Sequence, residues 1–137
     1  MKIKLIVIAA LSIIVFSNSC SKSDDVTAPP TTEEYPATWI GKYWQNSNTE
    51  IKYDYTIILK GNNKATIISG LPGNAPDDHY ATGTYTEEGG ILKMKYTYPN
   101  NSTFYVLAKI DYVSNQIDGV WGLQENIVDG NFLVTKQ

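Results

Sequence analysis

Apolar and polar residues alternate most clearly between Ile51 and Lys60. One side of this segment would carry only large apolar residues, namely Ile51, Tyr53, Tyr55, Ile57 and Leu59. The other side would be mostly polar, with Lys52, Asp54, Thr56, Ile58 and Lys60. Successive side chains point to opposite faces of an extended chain, so a period of two is typical of a β-strand. The pattern predicts a strand with one face in a core and the other in solvent.

Seven further segments show weaker alternation, and no helical period extends over a useful length after Trp39. The segments are Thr38–Gln45, Lys64–Ser69, Tyr80–Thr86, Ile91–Tyr98, Thr103–Tyr112, Gln116–Gly122 and Asn131–Lys136. Short connectors rich in Gly and Asn separate most of them, which indicates hairpins. We therefore predict an all-β fold, an eight-stranded antiparallel up-and-down barrel, because closure removes exposed strand edges. An open sandwich is the alternative.

Connections in such a meander alternate between the two ends of the barrel. The first, third, fifth and seventh would share one end, and they are Asn46–Glu50, Gly70–His79, Pro99–Ser102 and Leu123–Asp129. This end holds both long connections, whereas the other holds tight turns and the start of the first strand. Because binding residues favour loops on a rigid scaffold, we expect the long connections to form the working end. Its rim would carry Asp77, Asp78, His79, Glu125 and Asp129 and prefer neutral or cationic partners.

The N-terminal stretch has a different character. Lys2 and Lys4 precede an apolar run from Leu5 to Phe16, and small polar residues then lead to Cys20, the only cysteine. A spanning helix needs about 20 apolar residues, so this run is too short to cross a membrane. It resembles a bacterial lipoprotein signal peptide.

That resemblance implies removal of residues 1–19 and acylation of Cys20. The stretch Ser21-Lys22-Ser23-Asp24-Asp25 is also similar to the acidic surface-export signal of Bacteroidetes lipoproteins, which implies an outer-membrane, cell-surface location. The alternative is an ordinary secretory peptide cleaved near Ser19, leaving Cys20 free. Residues 20–37 are rich in Ser, Thr, Pro and acidic residues and predict a disordered tether to a domain at 38–137.

Short motifs within the domain carry a second resemblance. They are Trp39-Ile-Gly41-Lys-Tyr43, Gly83-Thr-Tyr85, Ile117-Asp-Gly119-Val-Trp121 and Gly130-Asn-Phe132-Leu-Val134-Thr-Lys136. Together they resemble the small lipocalin-like barrel domains of exported Bacteroidetes proteins. The resemblance implies the same eight-stranded barrel.

Charge and composition argue against several functions. The chain has a net charge of −3 and no arginine, and loss of Lys2 and Lys4 with the leader would leave nine lysines against fourteen acidic residues. Nucleic-acid binding needs a basic face, so we expect no nucleic-acid partner. Only Asp77-Asp78-His79 combines metal-ligand residue types, and His79 is the sole histidine. We expect no metal site, no cofactor and no catalytic residues.

The tyrosines are the candidate binding residues. Four of them, Tyr53, Tyr55, Tyr96 and Tyr98, lie on the apolar faces of their predicted strands. Trp121, next to the last residue of the predicted strand Gln116–Gly122, is a further candidate. They could fill a solid core, or they could line a pocket for a small neutral apolar or aromatic ligand, since an eight-stranded barrel is wide enough for either. A solid core would favour an accessory or protein-interaction role through the loops.

Overall fold

The computed structural model describes residues 36–137. The predicted leader, Cys20 and nearly all of the predicted tether lie outside the described residues. The strands are β1 (Ala37–Gln45), β2 (Asn48–Lys60), β3 (Lys64–Ile68), β4 (Tyr80–Glu88), β5 (Ile91–Thr97), β6 (Thr103–Asp111), β7 (Gln116–Gly122) and β8 (Gly130–Lys136). A single turn of 3-10 helix spans Asp77–His79. Between residues 36 and 137 no helix is long and apolar enough to span a membrane.

Each strand pairs antiparallel with the next, and β8 pairs with β1. The predicted eight-stranded up-and-down barrel is therefore confirmed, and the open sandwich is excluded. Closure brings Gly41 of β1 so close to β8 that a Cβ there would lie 2.0 Å from the Leu133 carbonyl oxygen. The two-residue turn Gly89-Gly90 has positive φ at both positions, as the tightest hairpins require.

The interior changes character along the barrel axis. Near the tight-turn end it is filled by aliphatic side chains with no measurable exposure, among them Ile57, Leu92, Ile117 and Val134. Toward the end that holds the long connections, the inward positions become aromatic, including Tyr43 and Phe104. Each fully buried aliphatic side chain contributes about 1.5–3 kcal/mol, so the filled half supplies much of the stability.

Both faces of β2 differ in part from the burial that the sequence predicts. Ile51 and Tyr53 were predicted to be core residues, but they are 47% and 45% exposed. The reason is that β3 pairs only with Thr56–Lys60, so the first half of β2 has a neighbour on one side alone.

The polar face of β2 is also not fully open to solvent. Thr56, predicted to face solvent, has no measurable exposure, because the connection between β3 and β4 covers it. Its hydroxyl donates a hydrogen bond to the Gly70 carbonyl at 3.0 Å. Ile68, on the same outer side of β3, is 1% exposed. The long connection is thus part of the packed structure at this wall.

Candidate functional site

A cavity of about 610 Å³ opens at the end of the barrel that holds the long connections. In the structure the four connections at this end span residues 46–47, 69–79, 98–102 and 123–129. All four contribute to the lining, through Ser47, Ser69, Tyr98 and the stretch containing Leu123, Val128 and Asp129. The predicted grouping of the connections at one end is therefore confirmed. The opposite end is filled, so the cavity is a cup with a single mouth.

Six aromatic side chains form the wall of this cup. They are Tyr43, Tyr55, Tyr96, Tyr98, Phe104 and Trp121. The antiparallel register places Tyr96 directly opposite Phe104, and it places Trp121 opposite Gly130. A Cβ at Gly130 would lie 2.5 Å from Nε1 of Trp121, so glycine makes room for the indole. That indole N–H is buried with no hydrogen-bond partner among the described residues.

Five of these rings form a continuous aromatic belt around the cavity, made of Tyr43, Tyr55, Tyr96, Phe104 and Trp121. Tyr43 lies 6.0 Å from Trp121, which lies 5.9 Å from Phe104, which lies 5.6 Å from Tyr96. Tyr55 completes the belt, with its ring 5.3 Å from Tyr43. Contacts in this range are favourable between aromatic rings, so the belt is a preorganised apolar surface.

Hydroxyl groups converge at the inner side of the belt. The Tyr55 and Tyr96 hydroxyls are hydrogen-bonded at 3.0 Å, and the Tyr98 hydroxyl bonds to that of Ser69. Ser69 also acts on the Tyr43 phenol, lowering the pKa that burial raises. We call Tyr43, Tyr55, Ser69, Tyr96 and Tyr98 the hydroxyl cluster.

The phenols of this cluster are held in the neutral form. Burial raises the pKa of Tyr55 and of Tyr96 well above the ordinary value of 10.0, and the neighbouring tyrosines raise the pKa of each further. Burial also raises the pKa of Tyr98 and of Tyr43, and Ser69 opposes this increase in both. The cluster therefore offers neutral hydrogen-bonding groups, and an anionic ligand would find no cation in it.

The mouth is tied together by hydrogen bonds between the first and seventh connections. The Asn46 side-chain amide donates to the Val128 carbonyl at 3.1 Å, and the Asn46 backbone N–H donates to the Asp129 carbonyl at 2.9 Å. The Asp129 carboxylate accepts a hydrogen bond from the Leu123 backbone N–H at 2.8 Å. Leu123 and Val128 are 57% and 49% exposed, which gives the mouth an apolar lip.

Electrostatics at the mouth are acidic. Asp129 is the one charged side chain that lines the cavity, and no lysine does. Across residues 36–137 the only ion pair joins Lys42 and Asp54, on the outer wall. The lining therefore carries negative charge that would repel an anion entering from solvent.

The predicted ligand-binding residues divide into two groups. Tyr55, Tyr96, Tyr98 and Trp121 all line the cavity. Tyr53 does not, because it lies on the exposed half of β2 with its ring stacked against Tyr43, 5.2 Å between centroids.

Tyr43, Phe104 and Ser69 also line the cavity but were not among the predicted binding residues. Two of these had a usable signal, since Tyr43 shares its strand face with Trp39 and Phe104 lies on the apolar face of its strand. Ser69 follows β3 in an irregular segment, and no local pattern indicates that it meets Tyr98 across the cavity.

The predicted acidic rim is also divided. Asp129 lines the cavity, whereas Glu125 lines an adjacent groove on the outer wall, which shares Trp121 and Val128 with the cavity. Asp77, Asp78 and His79 are exposed and lie outside the lining. His79 Nδ1 donates a hydrogen bond to the Ser69 carbonyl at 2.8 Å. This contact helps to position Ser69, which lines the cavity. No group of three His, Cys, Asp or Glu within residues 36–137 could hold a metal ion.

Comparison with protein-family models found no match for this chain. A search of curated proteins also found no matching relative.

Proposed function

We propose that the protein binds a small neutral apolar or aromatic molecule in the cup at the open end of the barrel. The observation that carries this proposal is the cavity itself, an aromatic-lined space of about 610 Å³ with one mouth. Small-molecule sites are typically concave spaces of about 300–1,000 Å³ with apolar walls and a few polar groups. The aromatic belt and the hydroxyl cluster match that description.

Three features support a neutral ligand. The phenols are uncharged over the physiological range because burial raises the pKa of each. No lysine lines the cavity to pair with an anion, and the Asp129 carboxylate at the mouth would repel one. An apolar molecule would replace water against the belt, and each Å² of apolar surface buried contributes about 25 cal/mol.

We further propose that the protein acts at the outer membrane, held there by acyl chains on Cys20. This rests on the resemblance of the N-terminal stretch to a lipoprotein signal peptide and on Cys20 being the only cysteine. The first strand begins at Ala37, at the end of the barrel opposite the mouth. The proposed tether would therefore join the barrel at the end away from the mouth.

The alternative is an accessory protein with a solid barrel that acts only through its loops. That reading requires a filled interior, and only the half near the tight turns is filled. The cavity therefore favours a binding protein over a solid accessory barrel.

A fluorescent probe tests the proposed function. N-phenyl-1-naphthylamine is neutral and apolar, and its emission rises when it leaves water. The wild-type protein should bind it saturably, and Val128→Trp at the lip should weaken binding by roughly tenfold or more by filling the mouth.

Val113→Trp is the matched control. Val113 is 95% exposed and lies in the turn between β6 and β7, at the end of the barrel opposite the mouth. This variant should bind the probe like the wild type. Absence of saturable binding to wild type, or equal losses in both variants, would refute a ligand site in the cup.

A further inference from the structure

We propose that the ligand carries a neutral acceptor oxygen, such as a ketone or amide carbonyl, which accepts a hydrogen bond from the Tyr55–Tyr96 hydroxyl pair. This inference rests on the proposed function and names the chemistry of the ligand's buried end. It follows from the hydroxyl protons of the pair, which the protein itself cannot fully use.

Tyr55 and Tyr96 are the deepest lining residues on their strands. The next inward-facing residues toward the filled end are Ile57 and Met94, which are 0% and 4% exposed and do not line the cavity. The hydroxyl pair therefore lies at the floor of the cup.

The hydroxyl pair has one more proton than its own hydrogen bond uses. Two phenol hydroxyls carry two protons, and their mutual hydrogen bond at 3.0 Å uses one of them. Among residues 36–137 neither hydroxyl has another hydrogen-bond partner, so one O–H proton is left without a protein acceptor. The surrounding rings offer none, since Tyr55 packs against Phe132 at 5.4 Å and Tyr96 packs against Phe104 at 5.6 Å.

A buried donor without an acceptor is unfavourable, and native proteins almost always satisfy such groups. The acceptor must therefore come from the contents of the cup. Water can serve in the free protein, and an oxygen of the ligand takes its place in the complex. Because both phenols stay protonated, the floor donates a hydrogen bond and selects a neutral acceptor.

The rest of the cup fixes the orientation of such a molecule. Its acceptor would lie at the floor, its apolar or aromatic body would lie against the belt, and its outer end would meet Leu123 and Val128 at the lip. A hydrocarbon of the same shape would fill the belt but leave the floor proton unsatisfied.

Two probes of matched shape test this inference. Binding of 2-acetylnaphthalene, which carries a carbonyl, is compared with binding of 2-ethylnaphthalene, which has no acceptor, by equilibrium dialysis against the purified protein. One net hydrogen bond corresponds to a preference of roughly tenfold for the ketone.

Phenylalanine variants identify the donor. In Tyr55→Phe or in Tyr96→Phe the remaining hydroxyl keeps its proton and has lost its protein acceptor, so the ketone preference should persist. The double variant has no hydroxyl at the floor, and the preference should fall to within about twofold of unity. Tyr105→Phe, on the outer wall, is the control and should retain the full preference.

Each outcome is decisive. Equal binding of both probes to wild type would overturn the carbonyl inference while the proposed function stands. Failure of both probes to bind would overturn both proposals. A preference that survives in the double variant would overturn the assignment to Tyr55 and Tyr96, and this comparison of ratios does not depend on equal stability of the variants.

Discussion

The hydroxyls of Tyr55 and Tyr96 meet at 3.0 Å inside the barrel, although 41 positions separate the two residues in the chain. They come from β2 and β5, which lie three strands apart around the wall, so their contact crosses the interior. On one side of the pair the barrel is filled with aliphatic side chains, and on the other it holds the cavity. The pair therefore closes the floor of the site and joins it to the core.

The two faces of β2 should differ in their contribution to stability. Ile57 has no measurable exposure, and Ile57→Ala should cost about 2–5 kcal/mol of unfolding free energy because it leaves a cavity in the filled half. Ile58, half-buried on the outer face, should cost clearly less when changed to Ala. Urea denaturation of both variants makes the comparison, and equal losses would mean that the wall is covered equally on both sides.

The connection between β3 and β4 should contribute to stability through Thr56. Thr56→Val keeps the shape but removes the hydroxyl that donates to the Gly70 carbonyl, which should cost about 1–3 kcal/mol. Thr66→Val, at a half-buried position on the outer face of β3, should change stability by less than about 0.5 kcal/mol. If both substitutions are neutral in thermal unfolding, the connection does not hold the wall as described.

Most of the fold could be predicted from the period-two alternation of apolar and polar residues, because that alternation indicates which side of each strand is buried. It placed Tyr55, Tyr96 and Tyr98 on inward faces, and the alternation of connections placed the mouth. It failed for Tyr53, since a strand's own pattern does not reveal that its neighbour ends at Ile68. Ser69 escaped notice for a related reason, because its role depends on a contact made across the barrel.

The buried phenols should make the protein sensitive to alkali. In the unfolded chain tyrosine ionises near its ordinary pKa of 10.0, whereas burial raises the pKa of Tyr55 and Tyr96 in the folded state. Above about pH 10 the folded protein therefore holds more protons than the unfolded chain, and stability falls as pH rises, by up to about 1.4 kcal/mol per pH unit for each retained proton. Below about pH 9 these two groups should contribute no slope.

Urea midpoints between pH 8 and pH 11.5 measure this dependence. The Tyr55→Phe/Tyr96→Phe double variant should show a shallower alkaline decline than the wild type, since it has lost two phenols that resist ionisation. An unchanged decline would mean that these hydroxyls ionise in the folded protein as they do in the unfolded chain.

The proposed acylation of Cys20 can be tested by mutation. Cys20→Ala should move the protein from the membrane fraction to the soluble fraction and abolish metabolic labelling by a fatty acid, because Cys20 is the only thiol that could be acylated. Cys20→Ser serves as a second variant with the same expected result. A labelled, membrane-associated band in either variant would show that the anchor lies elsewhere.

The most direct measurement of the central claim is a titration of ¹⁵N-labelled protein with 2-acetylnaphthalene, followed through the three tryptophan indole N–H signals. Trp121 lines the cup, whereas Trp39 is 3% exposed and lies near the start of β1, at the tight-turn end. A ligand bound in the cup should shift the Trp121 signal saturably and leave that of Trp39 in place. A Trp121 signal that stays fixed at saturating probe, or a Trp39 signal that moves as far, would contradict a binding site at the open end of the barrel.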